Sequence, residues 1–592
     1  MKLSILFSEH PEKVYVRHDT KVGIVYKEDM WEDGTLNGAY RYSLEVPVFG
    51  DDYPFSFFFA FFVNGNSYYY SKDGVSRNCP KIGDRFVLVP DLKTPQWVAG
   101  SVCYQIFPDR FCNGDPTVGA VDHEYGFDGG FVTTPLWTEE PKEWVDSRCV
   151  DFYNGDLKGI EDKVLFLKSL GVSAVYINPI FESRSVHRYD TVDFRHVDHK
   201  LGGDEALASM VETLHRNGIR VILDISINHT GLDALWLKKA REDKNSDEAG
   251  FYYFKEDGGV MCWQDVPTLP QLDYRSEKLR SEMYRREDSV MKKFLKKPYD
   301  IDGWRLDVAP EVGRRDEVQL CQEVWREVRE NLKSIKEDMY LVGEDWDDSA
   351  LYMQGDIWDG TMNYYGCGRP LRSWMGQTDR FLLPAFDNVC TIEEPWTGRE
   401  VVKALKDGID STHDQMAYFQ MNLIDSHDTP RLHNDDRIMD ENVYLGAVLA
   451  MYMLPGMPNL YYGDEVGLKG RITSNEGCRF PMEWREENWN RVRLQAHQTF
   501  GQIRGDSWFG YSSCRLEETD EKSFAMVRFT EGKAYCAFIN RGEEERTVSI
   551  SAFGLPKGKI DALYGQSDAR IVDGRLELTL GKRQSCLLFL HS

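Results

Sequence analysis

Between residues 100 and 505 one pattern recurs along the chain: a short apolar run built for a strand, then a longer stretch with helical spacing. The strand candidates are "SVCYQIFPDRF", "VSAVYINPIF", "IRVILDISINH", "DGWRLDVA", "MYLVGEDW", "GDIWDGTMNY", "MAYFQMNLIDSHD" and "PNLYYGDEVG". Between them lie segments such as "EALASMVETLHRNG", whose apolar residues fall three and four apart and whose glycine closes the end. Eight buried-type strands alternating with helices predict a (β/α)8 TIM barrel, an α/β fold.

The pattern stops at both ends. Residues 1 to about 97 alternate short apolar and polar runs with turn residues, which predicts an N-terminal β-sandwich, and "PDLKTPQWVAG" marks the join to the barrel at 98–505. Runs such as "KAYCAFIN" and "SCLLFLHS" predict a second β-sandwich over 506–592. The gap between the third and fourth strand candidates is too long for one helix, so a small inserted subdomain at about 230–275 is expected over the barrel mouth.

In a barrel of this kind the chemistry sits where the strands end. The first candidate strand ends near Tyr104, the third at Asp224, Asn228 and His229, the fourth at Arg305 and Asp307, the fifth at Glu344, and the seventh at His427 and Asp428. Arg305 and Asp307 are two apart on one strand, so they share a face and an environment. Alone, such a pair is either structural cement or a tuned carboxylate. Three carboxylates aimed at one mouth favour the second reading, because hydrolysis of a glycosidic bond needs one ionised carboxylate and one protonated carboxyl. A nearby guanidinium keeps Asp307 ionised, and the apolar flanks of Glu344 raise its proton affinity. A catalytic zinc held by His187, His229 and His427 is the rival, but no tight ligand spacing supports it.

Four ordered motifs carry a family resemblance: "DISINH" (224–229), "GWRLDVA" (303–309), "GEDW" (343–346) and "SHD" (426–428). With "YQIFPDRF", "NPIFES", "HRYD", "PGMPNLYYGDE" and "CRFPMEW", they resemble the α-amylase family of glycoside hydrolases over essentially the whole barrel. "LPQLD" and the N-terminal "FFVNGNSYYYSKDG" look most like its cyclomaltodextrinase, neopullulanase and maltogenic amylase members.

The resemblance implies a retaining mechanism with Asp307 as nucleophile, Glu344 as acid and base, and Asp428 binding sugar hydroxyls. It implies that Asn228, His187, His229, Arg305 and His427 contact the sugar or orient the carboxylates. Tyr104 and Tyr189 would offer ring faces, with packed core aromatics as the alternative, and Trp346 would border the leaving-group side. No cofactor is required for the chemistry. Asn113, Asp115 and Asp156 match part of a structural calcium site, but Val118 and Gly119 stand where further donors are expected, and a turn held by "NGDP" explains the same residues. Two departures bear on function: Pro310 follows the nucleophile where relatives carry an amide side chain, and Asp345 places another acid beside Glu344.

Composition bounds the partners. A formal charge of −26 disfavours nucleic acid and anionic membranes and suits a neutral substrate. The start of the chain lacks a signal-peptide pattern and the twelve cysteines show no metal-ligand spacing, so a cytoplasmic protein with reduced thiols is expected. A homodimer is expected from the subfamily, whose N-terminal module packs over a partner's site, although the aromatic run 55–70 is equally read as sandwich core or as a glucan-binding surface. The resulting expectation is an α-1,4-glucan hydrolase acting on cyclodextrins and short maltooligosaccharides, with α-1,6 bonds and pullulan as its wider reach. A dedicated transglycosylase or isomerase on the same barrel is the alternative, and a noncatalytic glucan-binding or assembly protein is a third reading.

Overall fold

The computed structural model describes residues 1–20, 23–48, 54–378, 390–474 and 476–592. Eight parallel strands form its centre: β1 (Cys103–Ile106), β2 (Ala174–Ile177), β3 (Arg220–Ile225), β4 (Gly303–Leu306), β5 (Tyr340–Gly343), β6 (Gly360–Thr361), β7 (Met421–Asn422) and β8 (Met457–Tyr461). They pair in the order β6-β5-β4-β3-β2-β1-β8-β7, and a parallel bridge between Met362 and Met421 joins β6 to β7. Each of the eight apolar runs supplies one strand, so the (β/α)8 barrel holds. Residues of the five strands β1 to β5 are buried without exception apart from Arg220, because helices cover them outside and neighbouring side chains fill the inside.

Two β-sandwiches flank the barrel. In the first, Leu3, Ile5 and Phe7 of one sheet pack with Val14, Val16, Phe55, Phe57, Phe59 and Phe61 of another. The aromatic run 55–63 is therefore largely core, as alternation within a strand requires. The last sandwich buries Val527, Cys536 and Phe538 against Ile550, Leu576 and Leu578.

Hydrogen bonds from Val87 and Val89 to the Asp414 and Gln415 side chains join the first sandwich to the segment ahead of β7. That is the amino end of the strands, opposite the face where β4 and β5 deliver their polar residues. Among the described residues no helix is long and apolar enough to cross a membrane. All twelve cysteines are free thiols.

The long segment between β3 and β4 folds over the barrel mouth. It holds the helix Leu235–Glu242, and short bridges pair His229 with Gln271, Tyr252 with Leu272 and Cys262 with Pro270. Phe251, Tyr252 and Tyr253 are buried beneath it, which anchors the excursion and leaves Trp263 and Gln264 at its edge.

Candidate active site

At the carboxyl ends of the strands lies a cleft of about 800 Å³ lined by Asp307, Glu344 and Asp428, together with His187, Tyr189, His229, Trp346 and Arg479. Three carboxylates from three elements meet there. Arg305, on β4 and wholly buried, links two of them: Nη1 donates to Asp307 Oδ1 at 2.8 Å, and Nη2 lies 3.0 Å from Glu344 Oε2. The same Nη1 reaches Asp224 Oδ1 at 3.0 Å. One strand places arginine and nucleophile candidate side by side, and register with β3 and β5 brings Asp224 and Val342 opposite Arg305.

Burial raises the proton affinity of Asp307 well above the carboxylate range; Arg305 opposes this, and Glu344 and Asp224 add to it. Glu344 is also raised, first by burial and then by Asp428, again against Arg305. One guanidinium faces Asp224, Asp307 and Glu344 together, so the protonation of each carboxyl depends on that of the others. Arg305 lowers the proton affinity of Asp307, in the direction expected from the sequence, and burial opposes it more strongly. Glu344 Oε2 also accepts from the Val308 N–H at 2.7 Å, and Oε1 from Trp346 Nε1 at 3.2 Å.

Asp428 faces them across the cleft, 3.0 Å from His427 Nε2 and 3.2 Å from Arg479 Nη2. Gln105 Nε2 lies 2.8 Å from His427 Nδ1, which directs the remaining imidazole N–H towards Tyr189 OH at 2.6 Å and Asp428. Tyr189 OH in turn donates to Asp224 Oδ2 at 2.8 Å. Burial lowers His187, His229 and His427 to about 3, so all three are neutral donors or acceptors in ordinary buffers. They form no metal-ligating group with other residues among those described.

Several expectations need correction. Tyr104 does not offer a ring face: it is fully buried on β1, and its hydroxyl donates to Glu465 Oε1 at 2.8 Å beneath the site. A residue within a four-residue barrel strand has both sides covered, and the motif alone does not say on which side of the mouth it lies. Asn228 is likewise 1% exposed and turned onto His229 Nδ1 at 3.2 Å, where it orients the imidazole rather than lining the cleft. Asp345 accepts from the Asp347 N–H and from Ser349 Oγ, closing a turn, and the largest charges acting on Glu344 are Arg305, Asp428 and Asp224.

The calcium candidates are committed to hydrogen-bond donors. Asp156 accepts from the N–H groups of Gly114, Asp115 and Gly159, and caps the helix Leu157–Asp162. Asp115 accepts from Thr117, and Asn113 Nδ2 donates to the Asn154 carbonyl. Calcium takes six to eight oxygens, and with Val118 and Gly119 in place of two further donors these three side chains fall short of that shell. The donor set does not fit calcium; it fits a clamped turn.

Sequence reasoning left four contributors without a role. Arg479 stands within "CRFPMEW", so the motif marked it without saying what it touches. Asn178 donates to Tyr189 OH at 3.1 Å, an interaction that only the fold brings together. Trp263 stacks on His229 with ring centroids 5.3 Å apart, and its indole N–H donates to Glu311, three residues past Val308. Gln264 Nε2 reaches the other oxygen of Glu311 at 3.2 Å.

The profile of the alpha-amylase catalytic domain matches residues 105–491. Among known proteins, the chain is 31% identical over 532 residues to a maltogenic alpha-amylase of Bacillus acidopullulyticus, covering 87% of this chain and 80% of that one. It is 29% identical over 536 residues to a cyclomaltodextrinase of Thermoanaerobacter pseudethanolicus, covering 86% and 82%. Among solved structures, a cyclic alpha-maltosyl-(1→6)-maltose hydrolase from Arthrobacter globiformis superposes with a TM-score of 0.68 at 26% identity, covering 84% of this chain and 100% of that one.

Proposed function

The chain belongs to the α-amylase family of glycoside hydrolases, and from that membership and the cleft geometry we propose a retaining hydrolase of α-1,4 and α-1,6 glucosidic bonds in cyclodextrins, short maltooligosaccharides and pullulan. The observation that carries the mechanism is the Arg305 bridge between Asp307 and Glu344. Retaining glycosidases bring two carboxyls to about 5–5.5 Å, and one guanidinium touching both supports that close pairing.

In this mechanism the active form has Glu344 protonated and Asp307 ionised: Glu344 gives its proton to the glycosidic oxygen while the Asp307 carboxylate attacks the anomeric carbon. The leaving sugar departs, and the glycosyl-enzyme ester on Asp307 is then opened by water that Glu344 deprotonates. Asp428, oriented by His427, and His187 bind hydroxyls of the sugar being cleaved and favour the flattened, positively charged transition state. Tyr189, tied to Asp224 and His427, offers a face to that ring. His229 and Trp346 flank it.

The small-substrate reading is supported by the relatives' names and by the excursion that narrows the mouth at Trp263. This chain's own N-terminal sandwich meets the barrel at the opposite end, so covering the cleft with such a module takes a second copy. We infer a homodimer, with Tyr26 and Trp31, 73% and 69% exposed on N-terminal strands, as contact residues. Twelve unpaired thiols support a reducing, cytoplasmic setting. The chemistry as drawn uses no cofactor.

The test is the initial product profile from β-cyclodextrin, maltotriose, pullulan and soluble starch, run beside Asp307→Asn. Ring opening faster than starch cleavage, absent in the variant, is the expected result. A preference for starch, or turnover by the variant, overturns the reading. Transfer to an acceptor sugar is the second reading, favoured by the aromatic wall of Trp263 held against Glu311 beside the leaving-group side.

A further inference from the structure

We propose that Trp144 is a glycone-side sugar platform that sets how many glucose units the enzyme grips beyond the one being cleaved; this rests on the hydrolase reading above. Trp144 lies outside every motif that identified the barrel. It opens the short helix Trp144–Ser147, is 49% exposed, and lines the catalytic cleft. Exposure alone says little of a single aromatic; what distinguishes Trp144 is that its exposed ring stands in the lining of the catalytic cleft.

The local backbone is bent to present it. Arg148 and Cys149, directly after the helix, both adopt left-handed conformations, φ 48° and 58°, which non-glycine residues rarely take. The turn brings Arg148 over the Trp144 ring, 4.3 Å from its centroid, fixing the indole plane from one side. Gly130 packs under Arg148, where a Cβ would meet the arginine side chain at 3.0 Å.

Its side of the cleft follows from the chemistry. Cys149 borders Glu476, with Sγ 4.0 Å from Oε1; Glu476 binds Arg479 Nη1 at 3.1 Å; and Arg479 binds Asp428 at 3.2 Å. Asp428 serves the sugar retained by the enzyme, so the wall continuous with it is the glycone wall. On the other wall, Trp263 connects through Glu311 to the segment bearing Val308 and Glu344, where the leaving group is protonated. Trp144 and Trp263 thus line one cleft through separate contacts, the first running to Asp428 and the second to the segment that holds Glu344. Glu476, between Cys149 and Arg479, lines the same wall and ties the Trp144 segment to Asp428.

The experiment compares wild type with Trp144→Ala and Trp144→Phe on maltotriose and maltohexaose, following kcat and KM separately together with the position of the cut. With Ala, KM for maltohexaose is expected to rise about tenfold with kcat within twofold, maltotriose is expected to change little, and the cut is expected to move towards the non-reducing end. Phe should restore most of the loss. Equal loss on both substrates, no change on either, or a change confined to the sedimentation coefficient, which would make Trp144 a subunit contact, overturns the proposal. Failure of wild type to hydrolyse either sugar would instead overturn the hydrolase reading.

Discussion

The Val308 N–H donates to Glu344 Oε2 at 2.7 Å, and Val308 makes that bond from a left-handed conformation, φ 38° and ψ 44°. The residue after the nucleophile candidate therefore holds the acid candidate. A β-branched side chain in this region is a steric outlier, and such strain persists where the surroundings enforce it.

Replacing Val308 with glycine separates the strain from the hydrogen bond. Glycine adopts this conformation without a Cβ clash and keeps the N–H. Val308→Gly is expected to stabilise the barrel by about 1 kcal/mol, read as a higher urea midpoint, with kcat within about threefold. Glu344→Gln, which removes the transferable proton, should lower kcat by roughly 10²–10⁴. A Val308→Gly enzyme as inactive as Glu344→Gln would mean that the side chain, rather than the N–H, positions the acid.

The raised proton affinity of Asp307 makes a stability prediction with a definite sign. In the folded state this carboxyl keeps its proton to a pH at which the unfolded chain has lost it, because burial disfavours the anion more than Arg305 favours it. Folding is therefore penalised above the unfolded carboxyl pKa, increasingly up to the folded one, and the penalty disappears at lower pH. Asp307→Asn should unfold at higher temperature than wild type at pH 7 to 8, with the gap closing towards pH 4, while turnover falls by several orders of magnitude. Thermal midpoints of both proteins across that range decide it. A variant less stable than wild type at neutral pH would show that Arg305 wins.

How much of this was legible beforehand depended on what each signal encodes. The first five strands were legible because parallel barrel strands are buried on both faces and read as apolar runs, whereas the two-residue strands Gly360–Thr361 and Met421–Asn422 were placed by their position in the alternation. The polar residues at their ends were legible too, since a charge closing such a run stands out. Tyr104 was misread for the same reason: inside the run, pattern alone cannot tell a ring packed beneath the mouth from one facing substrate. Trp144, Asn178 and Glu311 act through contacts between segments far apart in sequence, and no local periodicity marks those.

Asp156 tests the correction to the calcium site. Its oxygens are taken by backbone N–H groups of Gly114, Asp115 and Gly159, so the turn is held by hydrogen bonds that a chelator cannot remove. EDTA should leave the thermal midpoint and the activity unchanged. Asp156→Ala should destabilise by about 1–3 kcal/mol, the cost of a lost helix cap and unpaired buried donors. A midpoint that falls with EDTA and returns with added calcium would restore the metal site.

Glu311 governs a different property, because Pro310 and Glu311 occupy the turn that follows the nucleophile. Pro310 sits at the start of the 3-10 turn Ala309–Glu311, where its fixed φ suits the backbone and no N–H is needed. Pro310 offers no side-chain amide, and Glu311 holds Trp263 and Gln264 with its two oxygens. Gln264 and Asp265 both have positive φ, 45° and 58°, so the tip is constrained in the position that Glu311 receives. An acceptor sugar stacked on Trp263 competes with water for the glycosyl-enzyme only while that ring stays in place. Glu311→Ala should therefore cut the ratio of transfer to hydrolysis at least fivefold with maltotriose and excess glucose as acceptor, while the initial rate of glycosidic cleavage stays within about threefold, because the variant leaves the carboxyls and Arg305 untouched. Chromatography of early products gives both quantities in one run. An unchanged ratio would remove Trp263 from the acceptor path and leave the Glu311 contact a purely structural clasp on the excursion.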